Sequence, residues 1–244
     1  MLTGQVLRLV NSAYYALRVP VTSLARAIIL LGLNTVKNLV LGTAILERLT
    51  GKNFYPALAM EAFWLHSIAT AIGAKTLAGL MPQLPVDREE CFLAGLLHDI
   101  GKIPLNASCV AQYARVLETV ENRGEVLHRV ETQTLGVDHL TVGGLIADKW
   151  QLPALLGAAI RYHHDPERAE DPYRPVAQIT ALANQLVNWF GIGSAGDTAA
   201  HRSFEAEAAQ REDLAGIDLV ALEATVLKEI DSAQMFLTIT HQRG

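Results

Sequence analysis

Eight histidines punctuate this chain, and five of them, with one aspartate, stand where they could do chemistry together. They are His66, His98, His139, His163 and His164, with Asp99 directly after His98. Apolar or aromatic neighbours (Leu65, Leu97, Leu140 and Tyr162) pull most of them towards a core. A carboxylate carried into a core costs several kcal/mol unless it is paired, hydrogen-bonded or bound to a metal. A mixed imidazole and carboxylate set suits iron, manganese, zinc or nickel. Adjacent helical residues diverge by about 100°, so His98–Asp99 and His163–His164 would either converge on one ion or serve two neighbouring ions. Lys102, three residues past Asp99, lies within reach of the same pocket, where it would meet an anion such as phosphate. Spacing alone leaves a shared metal site and a set of ordinary packed histidines about equally open. His128, His201 and His241 read as ordinary packed or surface residues.

The elements that must position these residues are helical. Apolar residues recur at helical spacing, with almost no alternation of apolar and polar residues. "SLARAIILLG" runs from a cap at Ser23 to a stop at Gly32, and a second helix restarts at Asn34 and ends near Thr50–Gly51. "YPALAMEAFWLHSIATAIGAKTLAGL" reads as one long, mostly buried helix carrying His66. "DREECFLAGLLHDIGKIP" opens with Asp87 and two acids, delivers His98–Asp99 at its end, and is closed by Gly101 and Pro104. Further helices follow: one stopping at Gly124, one over "VLHRVETQTLG", one capped by Asp138, one beginning at Pro153 and ending at His163–His164, and one over "PVAQITALANQLVNWFG". The stretch "GIGSAGDTAAHRSFEAEAAQRED" is small and polar, and Asp218 caps a last helix with Leu219, Leu222, Val226 and Ile230 on one face. The expected fold is all-α, a multi-helix bundle with short connections, which can carry ligands inward to a common point.

Composition sets limits. The 244 residues, half of them hydrophobic, suffice for one large domain with or without an appendage. A net charge of −5 advertises no nucleic acid. A helix-turn-helix at "SLARAIILLGLNTVKNLVL" would offer only Lys37 and Asn38 as polar readers. Cys91 and Cys109 make no disulfide framework and suit a reducing cytoplasm. The opening "MLTGQVLRLVNSAYY" is not a signal peptide. Residues 27–46 are long enough to span a membrane, but Gly32, Asn34, Lys37 and Asn38 interrupt them, so they read as two buried helices.

The ordered series His66, "HD" within "GLLHDIGK", His139 and "HH" at 163–164 resembles the HD superfamily of metal-dependent phosphohydrolases. Its later members make it similar to the HD-GYP branch, which cleaves cyclic di-GMP with two or three metal ions. Two longer blocks resemble HDOD domains instead. One is "VLRLVNSAYYALRVPVTSLARAIILLGLNTVKNLVL", residues 6–41; the other is "GVDHLTVGGLIADKWQLPALLGAAIRYHH", residues 136–164. The resemblance covers residues 1–192 and implies an HD-domain-like bundle from bacterial signalling, acting through protein contacts. Residues 193–244 are then expected to be a polar linker plus a C-terminal helix packing on the domain.

By this resemblance His66, His98, Asp99, His139, His163 and His164 are metal-ligand positions, and Lys102 matches a lysine near substrate phosphate. Asp99 and Lys102 would be catalytic in an enzyme. The implied cofactor is a divalent transition metal, as one ion or a dinuclear pair, with iron favoured for a histidine-rich set and manganese, nickel or zinc fitting the same ligands. Departures are also plain. Asn184 stands where HD enzymes carry a closing aspartate, Ala62 where HD-GYP enzymes carry a glutamate, with Glu61 facing another way, and "GKIP" replaces "GYP". An amide binds these metals more weakly than a carboxylate. HDOD domains usually carry a helical stretch before "NSA", where only "MLTGQVLRLV" stands here, so an exposed apolar surface near residues 1–20 would favour a partner or a homodimer. Two functions follow: a regulatory, non-catalytic module with a protein partner, or a metal-dependent phosphohydrolase acting on a cyclic dinucleotide or other phosphoester.

Overall fold

The computed structural model describes residues 2–12, 14–15, 17–49, 57–197 and 214–241, with 46–49 and 231–241 as backbone alone. Every regular element among the described residues is helical. The helix ends expected at Thr50–Gly51 and Tyr55–Pro56, Ala13, His201 and most of the polar stretch fall outside the described residues, as does the His241 side chain.

The organising element is α4 (Met60–Leu80). Phe63, Trp64 and the unbroken run from His66 to Ala74 are buried, so the helix is covered on every face. A helix apolar all round belongs at the centre of a bundle. It packs against α5 (Arg88–Leu97), α11 (Arg174–Phe190) and α12 (Leu219–His241). The last helix joins the same apolar cluster through Leu222, Val226 and Ile230.

The start of α5 is set by Asp87, whose Oδ1 accepts from the backbone N–H groups of Glu89 and Glu90 at 2.9 and 3.0 Å. That cap satisfies donors a helix start leaves open. Gly101 and Pro104, expected to close this helix, do something else. The helix ends at Leu97, residues 98–101 form a tight turn, and α6 (Lys102–Ser108) begins at once. Pro104 sits in the first turn of α6, where the N–H it lacks would have no intrahelical partner.

Near the N-terminus, α1 (Leu2–Val10) buries Val6, Leu9 and Val10. Asn11 of the "NSA" element then folds the following loop back. Its Nδ2 donates to the carbonyls of Leu7 and Val21, both at 2.8 Å, and its Oδ1 accepts from Val21 N–H at 2.6 Å. Ser23 caps α2 (Leu24–Leu31), and Gly32, at φ +86°, turns the chain into α3 (Leu33–Leu49). The expectation that residues 27–46 form two buried helices is corrected for the first. Only Ala27 of α2 is buried, and Ile29 is 81% exposed. The exposed apolar surface expected near residues 1–20 is present there at Val19 but gathers further on, at Ile29, Leu30 and Leu33.

Beyond α6, α7 (Val110–Arg123) and α8 (Leu127–Leu135) share a satellite core of Val116, Val120, Leu127 and Val130. Asp138 caps α9 (His139–Lys149), its carboxylate accepting from Thr141 N–H at 2.8 Å. This helix crosses the turn after α5 closely. A Cβ on Gly101 would strike the backbone carbonyl of His139 and lie 2.6 Å from the Gly143 nitrogen. Next, α10 (Ala154–Tyr162) packs on α9 and α11 and ends at His163. No helix among the described residues is long and apolar enough to cross a membrane.

Candidate metal centre

Four elements converge on Asp99. His66 comes from the middle of α4, His98 and Asp99 from the turn after α5, His139 from the first position of α9, and His163 and His164 from the end of α10. All six residues expected to hold metal are brought together. His66, His98, Asp99, His139 and His163 are buried, and His164 is partly exposed. They form two triads: His66, His98 and Asp99 in one, and His139, His163 and His164 in the other, with the ligand atoms of each triad within 4.8 Å of one another.

Asp99 joins the triads by offering one oxygen to each. Its Oδ2 lies 3.1 Å from His98 Nε2 and 4.0 Å from His66 Nε2. Its Oδ1 lies 3.5 Å from His139 Nε2 and 3.4 Å from His163 Nε2.

The outer nitrogens fix how three of the rings present themselves. A carbonyl or carboxylate oxygen only accepts, so the imidazole Nδ1 facing it must donate. His98 Nδ1 donates to Gly95 O at 2.7 Å, His163 Nδ1 to Ile160 O at 3.0 Å, and His139 Nδ1 to Glu131 Oε2 at 2.6 Å. The Nε2 lone pairs of these rings then point to the common centre. The Nε2 atoms of His98, His139, His163 and His164 and the Oδ1 of Asp99 are buried without a hydrogen-bond partner. Buried polar atoms are nearly always satisfied, and oriented, lone-pair-bearing imidazoles beside a carboxylate are what a divalent transition metal requires. The residues present fit such an ion.

Electrostatics agree. Burial pushes the imidazolium forms of His66 and His163 down to about 3 and about 4, leaving neutral rings. His164 is lowered for the same reason. Burial would also lower His139, but the Glu131 carboxylate on its Nδ1 more than offsets this and raises it. Burial works to raise Asp99, yet His98 and Lys102 hold it well below the usual carboxylate range.

Three groups at the site were not singled out by the sequence. Glu131, on α8, binds both the ring and the backbone N–H of His139, and Tyr113 donates its hydroxyl to the other Glu131 oxygen at 2.9 Å. Asp197 accepts from Lys102 Nζ at 2.7 Å. It lies in the polar stretch read as a linker, whose glycines were the only sign of a close approach. The Lys102 ammonium, read as meeting an anion such as phosphate, meets protein oxygens, with Asp99 Oδ2 at 2.8 Å and the Ala195 carbonyl at 3.1 Å. Asn184 is buried and accepts from Asn188, while Glu61 is exposed. His128, read as ordinary, has its ring 4.9 Å from that of His164.

A sequence profile of the HDOD domain matches residues 1–166. The chain belongs to the HDOD family. An HDOD domain protein of unknown function from Geobacter sulfurreducens superposes with a TM-score of 0.69 at 26% identity, over 98% of this chain and 80% of that one. A Shewanella amazonensis SB2B protein, provisionally designated a phosphohydrolase, gives 0.69 at 27% identity over 96% and 82%. An uncharacterised protein of Treponema pallidum (strain Nichols) is 23% identical over 193 residues, 77% of this chain, which spans 36% of that relative's length. The all-α fold is that of HDOD structures.

Proposed function

We propose that this HDOD chain is a regulatory module that carries a divalent transition metal and acts through protein contacts rather than turnover. The observation that carries this reading is the state of Lys102. An enzymatic reading assigns that lysine to substrate phosphate, yet its three N–H donors are matched by Asp99, Asp197 and the Ala195 carbonyl. The residues around it are equally closed in, with His66, His98, Asp99, Lys102, His139 and His163 all between 0 and 1% exposed. An ion held by the histidines and Asp99 would supply Lewis acidity and cross-link α9, α10 and the turn after α5. The partner is a regulatory protein or a second copy of the chain, and the setting is cytoplasmic.

A phosphohydrolase acting on a cyclic dinucleotide or another phosphoester is the second reading. Asp99 favours it by facing both triads, since paired ions clamp the attacking and leaving oxygens of a phosphoryl group. The designation of the Shewanella relative points the same way. Protein loaded with iron, manganese or nickel should be assayed on cyclic dinucleotides and phosphomonoesters beside His98→Ala. The regulatory reading expects no turnover above that variant. Turnover that His98→Ala abolishes would establish the second reading in its place.

A further inference from the structure

A short strap, residues 193–197, lies across one half of the centre. Ser194 N–H donates to the Ala62 carbonyl at 3.0 Å. Gly193, at φ +67°, packs so tightly on α4 that a Cβ there would strike the His66 nitrogen and lie 2.6 Å from the Ala62 oxygen. The strap then presents the Ala195 carbonyl and the Asp197 carboxylate to Lys102. Lys102 Nζ therefore rests on the Asp99 oxygen that belongs to the His66–His98 triad. The other Asp99 oxygen, facing His139 and His163, has no hydrogen-bond partner.

We propose that Lys102, held in place by Asp197, occupies the second cation position of this centre, so that the chain binds a single metal ion, at His139, His163, His164 and Asp99 Oδ1. Charge decides in favour of one ion. Three buried carboxylates (Asp99, Glu131 and Asp197) and one ammonium surround imidazoles that bind an ion only in their neutral form. One dication neutralises that set, and a second would leave an excess of two buried positive charges, which is costly, whereas without the Lys102 ammonium two dications would exceed the carboxylates by a single charge. It would also face the Lys102 ammonium across a shared carboxylate oxygen.

This inference rests on the metal-bearing reading above, and the test separates the two. Cobalt(II) is titrated into chelator-treated protein, with stoichiometry read by elemental analysis and d–d absorption. The wild type should take one equivalent, lost in His164→Ala and kept in His66→Ala. Lys102→Met should take two, and Lys102→Gln, which keeps hydrogen-bond donors for the two carboxylates and so guards against misfolding, should do the same. Two equivalents in the wild type, one in both Lys102 variants, or a wild-type ion lost in His66→Ala and kept in His164→Ala would each overturn the proposal. No ion in the wild type but one in the Lys102 variants, removed by His66→Ala, would uphold the place of Lys102 and overturn the metal-bearing reading. No ion in any of them overturns both.

Discussion

Glu131 shows what a residue outside the ligand set does for it. With one oxygen on the ring and backbone of His139 and the other on the Tyr113 hydroxyl, it fixes which His139 nitrogen carries the proton. Glu131→Gln keeps the shape and loses the charge. Ion affinity, measured by competition with a chromophoric chelator, should fall about 10–100-fold with little change in folded structure. The histidines also set an acid limit on the metal-free protein. In the unfolded chain they titrate near 6.5, whereas folded His66 and His163 do so at about 3 and about 4. Between those values the unfolded state binds more protons, so stability is lost as pH falls below about 6.5. His139, raised in the fold, works in the opposite sense. The net loss should be on the order of a few kcal/mol by about pH 4, read from urea unfolding curves across the range. A flat profile would mean the rings are not held neutral.

Among the elements, the crossing of α9 over the turn after α5 is the tightest constraint on the site. Gly101→Ala places a methyl against the His139 carbonyl and the Gly143 nitrogen, backbone atoms that yield only by moving α9. It should cost about 1–3 kcal/mol in unfolding free energy and weaken ion binding as well, because His139 moves with its helix. Leu97→Ala, in the core at the end of α5, should cost about 2–5 kcal/mol without that specific effect. Ile29→Asp, on the exposed face of α2, should change stability by no more than about 0.5 kcal/mol. The sequence made the helices legible through caps such as Ser23, Asp87 and Asp138, and the ligands legible through histidines set in apolar runs. It did not show that Pro104 lies in the first turn of a new helix, because proline serves a helix's first turn as readily as it stops one. Nor did it show Glu131 or Asp197. An acid in an amphipathic helix or a polar stretch looks solvated until the fold reveals what it faces.

For the molecule as a whole, the centre gathers distant parts of one chain, from His66 on α4 to Asp197 beyond α11. A ligand that binds only the folded state stabilises it by about 2.7 kcal/mol at 100 times its Kd. For a chain of this size, cobalt(II) at that excess should raise Tm by roughly 5–10 °C. A chelator should reverse the rise, and His164→Ala should abolish it in differential scanning calorimetry.

The strap has a thermodynamic corollary. Because residues 193–197 touch both α4 and Lys102, any molecule that draws Asp197 away changes the electrostatic surroundings of Asp99. Binding linkage is reciprocal. If such a molecule alters the ion's affinity tenfold, the ion alters that molecule's affinity tenfold, a coupling of about 1.4 kcal/mol. The metal content of the cell would then become a quantity this chain reports outward.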